Sequence, residues 1–315
     1  MNDKQFYNDF YSALEKAMEP SGGYLQEVAI PKNNSSMKGI SIRFPNINTA
    51  PTVYPDFYYQ DWKDGQSMDS IVSNIRSEIM KTAPFISRFD INHITHEEAI
   101  THLRAAVVNY DKNKEWLSTV PHERVADLAV YAKWDFENGY MAKVNDFLLA
   151  KTKLTKEEAL KIAKTNTAHS AKFESMDAIM SGFLIDEGMD KELTEAMTMD
   201  YEAVPFHVLT NESGIDGAAV IACPEVLKAV RKELGEDYYI LPSSIHETLI
   251  IPKSNIADVE ILKAMVQSVN QSDVEPKDRL SDNVYEFDGH KLKLAGAELT
   301  QEHNISESIT HHRSR

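Results

Sequence analysis

The chain has 315 residues, 42% apolar and 26% charged, with only 12 Gly and 12 Pro; this excludes disorder over most of its length and suits one large core or two modest ones. A net charge of -16 excludes a protein that coats duplex nucleic acid, since that affinity comes from Lys and Arg neutralising phosphates, and the interleaving of Asp and Glu with Lys reads as a solvated surface rather than a DNA mimic. The single cysteine, Cys223, excludes an intrachain disulfide and a multi-thiolate metal site; with no signal-peptide pattern and no apolar run near roughly 18 residues, the expected setting is the cytoplasm.

Asp3–Met18 places Phe6, Tyr7, Phe10, Leu14 and Met18 at helical spacing, which predicts a first amphipathic helix ending before Pro20. Tyr24–Pro31 and Met37–Phe44 read as strands around the polar Asn33-Asn34-Ser35-Ser36, and Thr52–Tyr59 reads as a third, edge strand that tolerates Pro55. Ser67 caps a second helix with Met68, Ile71, Val72, Ile75 and Ile79 along one face. Helix, three strands, helix is also the order of double-stranded RNA-binding domains. Those domains offer lysines to phosphate where the last helix begins, whereas Asp64-Gly65-Gln66-Ser67-Met68-Asp69 would repel it, so no direct nucleic-acid binding is expected.

Pro84–Ile94 reads as a connector or short helix, His96–Ala99 as a turn of helix, Leu103–Tyr110 as a strand and Asn113–Val120 as a short helix. Val125–Phe136 and Tyr140–Phe147 flank Asn138-Gly139, the favoured two-residue turn, and predict a long hairpin. Thr155-Lys156-Glu157-Glu158 is a capping box that opens a helix running to Ala168. Ser175–Leu184 and Lys191–Met199 read as helices, whose scattered methionines fill irregular core space more often than they line a groove.

From Pro205 the pattern becomes regular: strand Phe206–Thr210, a turn over Asn211–Gly217, strand Ala218–Cys223 and helix Glu225–Leu234, bounded by Pro224 and Gly235. Glu236–Pro252 then reads as two short buried strands joined by a tight connection, the centre of the fold, followed by helix Ile256–Val269. Asn283–Phe287 and Lys291–Leu294 add a hairpin around Asp288-Gly289. The expected fold class is α+β, with largely antiparallel sheets and flanking helices. It divides into an N-terminal α-βββ-α lobe over 1–87, a mixed middle section over 88–204, a C-terminal ββαββα lobe over 205–295 and a disordered tail over 296–315.

No P-loop, Gly-x-Gly-x-x-Gly or Gly-x-Ser-x-Gly motif occurs, so no cofactor is expected and a serine-hydrolase elbow has no support. Cys223 ends a predicted strand and opens a predicted helix, where a thiol pKa falls; His246 would be its base and Glu247 a partner for the imidazole. Against this, free cysteines mostly behave as small buried hydrophobes. Ser243, Ser244 and His246 form a polar loop in the central hairpin, suited to hydrogen-bonding a ligand. His93, His96 and Glu97 have metal-like spacing, with Asp90, Glu98, His102 and His122 as further donors, but surface His and Glu near a helix start are commoner and no metal site is assigned. Tyr54, Phe57, Tyr58, Tyr59 and Trp62 are the densest aromatic stretch. On an edge strand facing water, Tyr58 and Tyr59 would form a partner-binding patch, whereas strand alternation would send at least half of the five into a core.

Four sets of residues carry a resemblance over nearly the whole chain. They are Ala50-Pro51-Thr52-Val53-Tyr54 with Tyr58-Tyr59, and Val108-Asn109-Tyr110-Asp111-Lys112-Asn113 followed by Val120-Pro121-His122. The others are Leu209-Thr210-Asn211 with Gly217-Ala218-Ala219, and Tyr239-Ile240-Leu241-Pro242-Ser243-Ser244-Ile245-His246-Glu247 with Leu280-Ser281-Asp282. Together they resemble DUF5688, a family of bacterial proteins. The resemblance implies no activity and no catalytic residue; the frequent location of the family near mobile-element genes implies a link to such elements. The expected function is therefore a non-catalytic cytoplasmic binding or accessory protein with a protein partner, and without nucleic acid or membrane. The alternative is a hydrolase or transferase working at a cleft between Cys223 and His246.

Overall fold

A computed structural model describes residues 3–47, 50–88, 94–136, 141–186, 206–242, 244–256 and 258–296. It is a mixed α+β fold with three antiparallel sheets and interleaved helices, and the chain divides into two units, Met1–Glu98 and Ala99–Arg315.

In the first unit, helix α1 (Asp3–Met18) is followed by a hairpin of β1 (Tyr24–Lys32) and β2 (Ser35–Arg43), whose turn is made possible by Asn34 at φ 56°. Strand β3 (Thr52–Val53) pairs with β2, and helices α2 (Asp56–Lys63) and α3 (Met68–Arg88) follow. The helical periodicity works out as read: Phe6, Phe10, Leu14 and Met18 of α1 and Ile71, Val72, Ile75 and Ile79 of α3 are buried with Ile40, Ile42 and Val53 in one core. Each large side chain buried there contributes about 1.5–3 kcal/mol.

The expected strand Thr52–Tyr59 is corrected. It ends at Val53, because Pro55 cannot donate to a ladder and its fixed φ of -56° opens α2 instead. On a helix, Tyr58, Tyr59 and Trp62 share one side, and that side packs on the core: Tyr58 stacks on Phe10 at 5.7 Å, and Tyr59 and Trp62 meet Phe6 at 5.1 and 5.2 Å. Phe57 alone of the aromatic run is largely exposed, at 60%.

The second unit opens at Ala99, within α4 (His96–His102), and its described residues form two sheets. In the smaller, the central strand β6 (Leu128–Asp135) pairs with β4 (Leu103–Asn109) on one side and with β5 (His122–Val125) and β7 (Met141–Lys143) on the other. Short helix α5 (Lys114–Leu117) lies between β4 and β5. Two boundaries differ from expectation. A turn with Ala126 at φ 55° separates β5 from β6, and the strand expected through Phe147 stops at Lys143 because Asn145 caps helix α6 (Asp146–Thr152), its side chain accepting from Leu148 N at 3.0 Å. Asn138-Gly139 lies outside the described residues.

Thr155 and Glu158 form the expected capping box of α7 (Lys156–His169). Strand β8 (Ala171–Ser175), hidden in a polar stretch, then joins the larger sheet, and α8 (Met176–Asp186) follows. The helix expected over Lys191–Met199 and the tail beyond Gly296 lie outside the described residues.

The larger sheet adds β9 (His207–Asn211), β10 (Tyr238–Leu241), β11 (Thr248–Pro252), β12 (Tyr285–Phe287) and β13 (Leu292–Leu294), in the order β13-β12-β10-β11-β9-β8. The central hairpin holds: β10 and β11 pair with Ile240 opposite Ile250, at the middle of the sheet. Alternation sends Tyr239, Leu241 and Ile251 toward Leu262 and Val266 of α10 (Val259–Ser272). Tyr238, of opposite parity, donates its hydroxyl to Leu227 O of α9 (Pro224–Leu234) at 2.7 Å. The strand expected over Ala218–Cys223 is corrected to a 3-10 helix, Gly217–Ala222, with all six residues buried. An apolar run buried on every side has no period to read, and Gly-Ala-Ala lacks the branched side chains that favour a strand.

Candidate functional site

Stretches far apart in sequence meet in the second unit at two places. The first is Asp127, in the turn between β5 and β6. Its carboxylate accepts from the Tyr285 hydroxyl at 2.6 Å, from Ser281 Oγ at 2.8 Å, from Asn283 Nδ2 at 3.1 Å and, marginally, from Asn109 Nδ2 at 3.5 Å. Asn109 O in turn accepts from Asn113 Nδ2, and Asn113 Oδ1 from the Trp116 indole. Burial and the Asp127 charge hold the Tyr285 phenol well above its ordinary pKa, so it stays a donor. This hub ties the smaller sheet to the larger one.

The second meeting place lies around Gly217. The Thr210 hydroxyl donates to His246 O at 2.7 Å, Ala218 N donates to Ile245 O at 3.1 Å, and Ile245 N donates to Asp278 O at 2.8 Å. A Cβ on Gly217 would sit 2.1 Å from Thr210 Oγ1 and 2.4 Å from His246 O, so only glycine allows this approach. The imidazole of His246 accepts from Asp216 N at Nδ1 (3.2 Å), which puts the proton on Nε2, 3.5 Å from Asp278 Oδ1. Asp216 itself sits at φ 52°, a left-handed conformation that non-glycine residues adopt at a cost and that clusters at functional sites.

From that position the Asp216 carboxylate reaches Lys133 Nζ at 2.7 Å. Lys133 lies in the otherwise apolar strand β6 with its side chain only 6% exposed, and its other contacts are Asp135 at 3.3 Å and Met141 Sδ at 3.2 Å. A buried ammonium is retained only when paired, and here two carboxylates and a thioether use its three hydrogens. Burial, and then the Asp216 charge, push the Tyr131 phenol far up. Lys133, Asp135 and Asp216 line a cleft of about 380 Å³, together with His102, Arg104, Thr167, Ser170, Asn211 and Glu212.

The residues singled out in the sequence are distributed as follows. Cys223 is fully buried at the start of α9, its thiol directed to Lys164 O at 3.3 Å, and burial pushes its pKa up to about 12. Its contacts and those of His246 belong to separate networks. Ser244 Oγ accepts from His246 N, Ser244 N donates to Glu247 O, and Glu247 is exposed, so the loop is braced internally by Ser244 and from outside by Thr210, Ala218 and Asp278. Ser243 lies outside the described residues, as do His93 and Asp90. Glu98 caps α4 through Thr95, His102 Nδ1 lies 3.1 Å from Asp135 O, and His122 Nδ1 lies 2.9 Å from Val120 O. Among the described residues no group of three or more His, Cys, Asp or Glu is placed to hold a metal ion.

Lys133, Asp216, Asp278 and Asp127 were not singled out in the sequence. One signal was available: a lone lysine inside Leu128-Ala129-Val130-Tyr131-Ala132-Lys133-Trp134 must find a buried partner if that run is a central strand. No comparable signal marks Asp216, which reads as an ordinary turn residue before glycine.

Among the described residues no helix is long and apolar enough to cross a membrane. Comparison with curated proteins and with solved structures yields no match. A family profile described as a family of unknown function, DUF5688, matches residues 3–289. With nearly the whole length matched, and with stretches that carry the resemblance meeting at Asp127 and around Gly217, the chain belongs to the DUF5688 family.

Proposed function

We propose that the protein is a non-catalytic binding protein of the cytoplasm, and that its ligand site is the cleft beside Lys133. The observation that carries this reading is the Lys133 ammonium, almost wholly buried at a cavity wall and clasped by Asp135 and Asp216. A cavity of this size is at the lower end of the roughly 300–1,000 Å³ common for small-molecule sites. The fixed loop Ser244–Glu247 supports the wall from behind through the His246 to Asp216 bond. The single buried cysteine agrees with a reducing compartment. The role for Tyr58 and Tyr59 in partner binding is set aside, because both pack on the core of the first unit.

The alternative, a hydrolase or transferase at Cys223 and His246, has against it a thiol held protonated by burial. In its favour is the His246 and Asp278 pair, an imidazole with a carboxylate beside it. One experiment separates the two. The tagged protein is recovered from its native host, and whatever co-purifies is identified by mass spectrometry. A small molecule retained unchanged and lost in Lys133→Met supports binding. A molecule that is turned over, with turnover abolished in His246→Ala, overturns it. A protein partner retained at unit stoichiometry by Lys133→Met as well as by wild type would move the function off the cleft.

A further inference from the structure

The charges lining the cleft narrow what it can hold. Arg104 and Lys133 stand against Asp135, Glu212 and Asp216. Lys133 is paired with Asp135 and Asp216 and fixes the wall, so Lys133→Met acts on a ligand by disrupting that wall; Arg104 and Glu212 are the charged lining groups with no ion-pair partner among the described residues. Arg104 is fixed through one nitrogen only: Nη1 donates to Thr101 O and Leu103 O, both at 2.8 Å. Among the described residues its Nε and Nη2 find no acceptor, and the carboxylate of Glu212, which follows β9 and lines the same cleft, finds no donor. The Nε and Nη2 edge of a guanidinium matches the two oxygens of a carboxylate. A ligand with a single charge would answer one of these groups and face the other with like sign or none.

We infer that the cleft binds a small zwitterion of the α-amino-acid class, free or as a dipeptide, with its carboxylate on Arg104 and its ammonium toward Glu212. The inference rests on the cleft being the binding site and adds the class of ligand. Complementarity of both signs favours such a molecule over a nucleotide or simple anion, since the protein is strongly acidic overall and the lining itself carries three carboxylates against two cations.

The test is isothermal titration of the full chain with each free amino acid and with a set of dipeptides, every binder being repeated as its N-acetylated and C-amidated forms. Saturable binding of a zwitterion, weakened about tenfold or more by either block, is expected, because each block leaves a charged group of the site unanswered. Glu212→Gln, at an exposed side chain with no structural partner, should then bind the zwitterion no better than wild type binds the N-acetylated form. Arg104→Lys should lose the distinction between acid and amide. Blocked forms that bind as tightly as the parent, or no zwitterion that saturates, would overturn the ligand class. If a sugar or nucleotide saturates the cleft instead and is lost in Lys133→Met, the zwitterion inference falls while the binding reading stands; if host-purified protein carries no ligand sensitive to Lys133→Met, both fall.

Discussion

Replacing Gly217 by alanine tests the packing behind the cleft. The added Cβ would lie 2.1 Å from Thr210 Oγ1, 2.4 Å from His246 O and 2.9 Å from Asn211 N. Two of these atoms belong to backbone, so no rotamer change relieves the clash. Overpacking of a buried site costs about 1–3 kcal/mol, and separating Thr210 from His246 loses a hydrogen bond worth about 1 kcal/mol more. The sum is about 2–4 kcal/mol, which in a unit of this size lowers Tm by roughly 5–15 °C. The assay is differential scanning calorimetry of wild type, Gly217→Ala and the control Gly214→Ala. At Gly214, φ is 67° but a Cβ meets nothing within 4 Å, so only the left-handed strain of about 1–2 kcal/mol applies. Adding Thr210→Ala to Gly217→Ala should not restore stability, because His246 O and Asn211 N remain in the way. Should Gly217→Ala melt within about 2 °C of wild type, or should Thr210→Ala rescue it, the reasoning fails.

Asp127→Ala leaves the buried Tyr285 hydroxyl without its acceptor and frees Ser281 and Asn283, at a cost of about 2–4 kcal/mol in urea unfolding; a loss under about 1 kcal/mol would show that the hub is not a structural tie. Cys223 keeps its proton in the folded state up to about pH 12 whereas the unfolded thiol loses it near 9.0, so its contribution to stability is complete below that lower value and declines as pH rises through the window between them. The denaturation midpoint should therefore fall less steeply above about pH 9 in Cys223→Ala than in wild type, and native alkylation at neutral pH should be slow; fast labelling would refute this. Tyr58→Ser with Tyr59→Ser removes the ring contacts with Phe10 and Phe6, and unfolding of the first unit should become easier by about 2–4 kcal/mol. An unchanged first unit in that double variant would mean that these rings are not part of its core.

What the sequence determined by itself was whatever depends on neighbours along the chain. The α1 and α3 stripes repeat every three or four residues, Thr155 and Glu158 cap α7 within one turn, and Pro224 and Gly235 bound α9 through their own backbone preferences. The hairpin of β10 and β11 was legible because two apolar runs are separated by a short polar one. Where local signals were ambiguous the reading failed: Gly217–Ala222 is apolar on every side and shows no period, and the aromatic run after Pro55 fits a strand or a helix equally until the core under it is known. The candidate site was decided by tertiary structure alone. Lys133 and Asp216 are 83 residues apart, and Asp127 and Tyr285 are 158 apart. No propensity or motif connects such pairs; they belong to separate sheets, and they meet because the 3-10 helix Gly217–Ala222 packs on β4 and because a buried charge must find its partner wherever the packing allows.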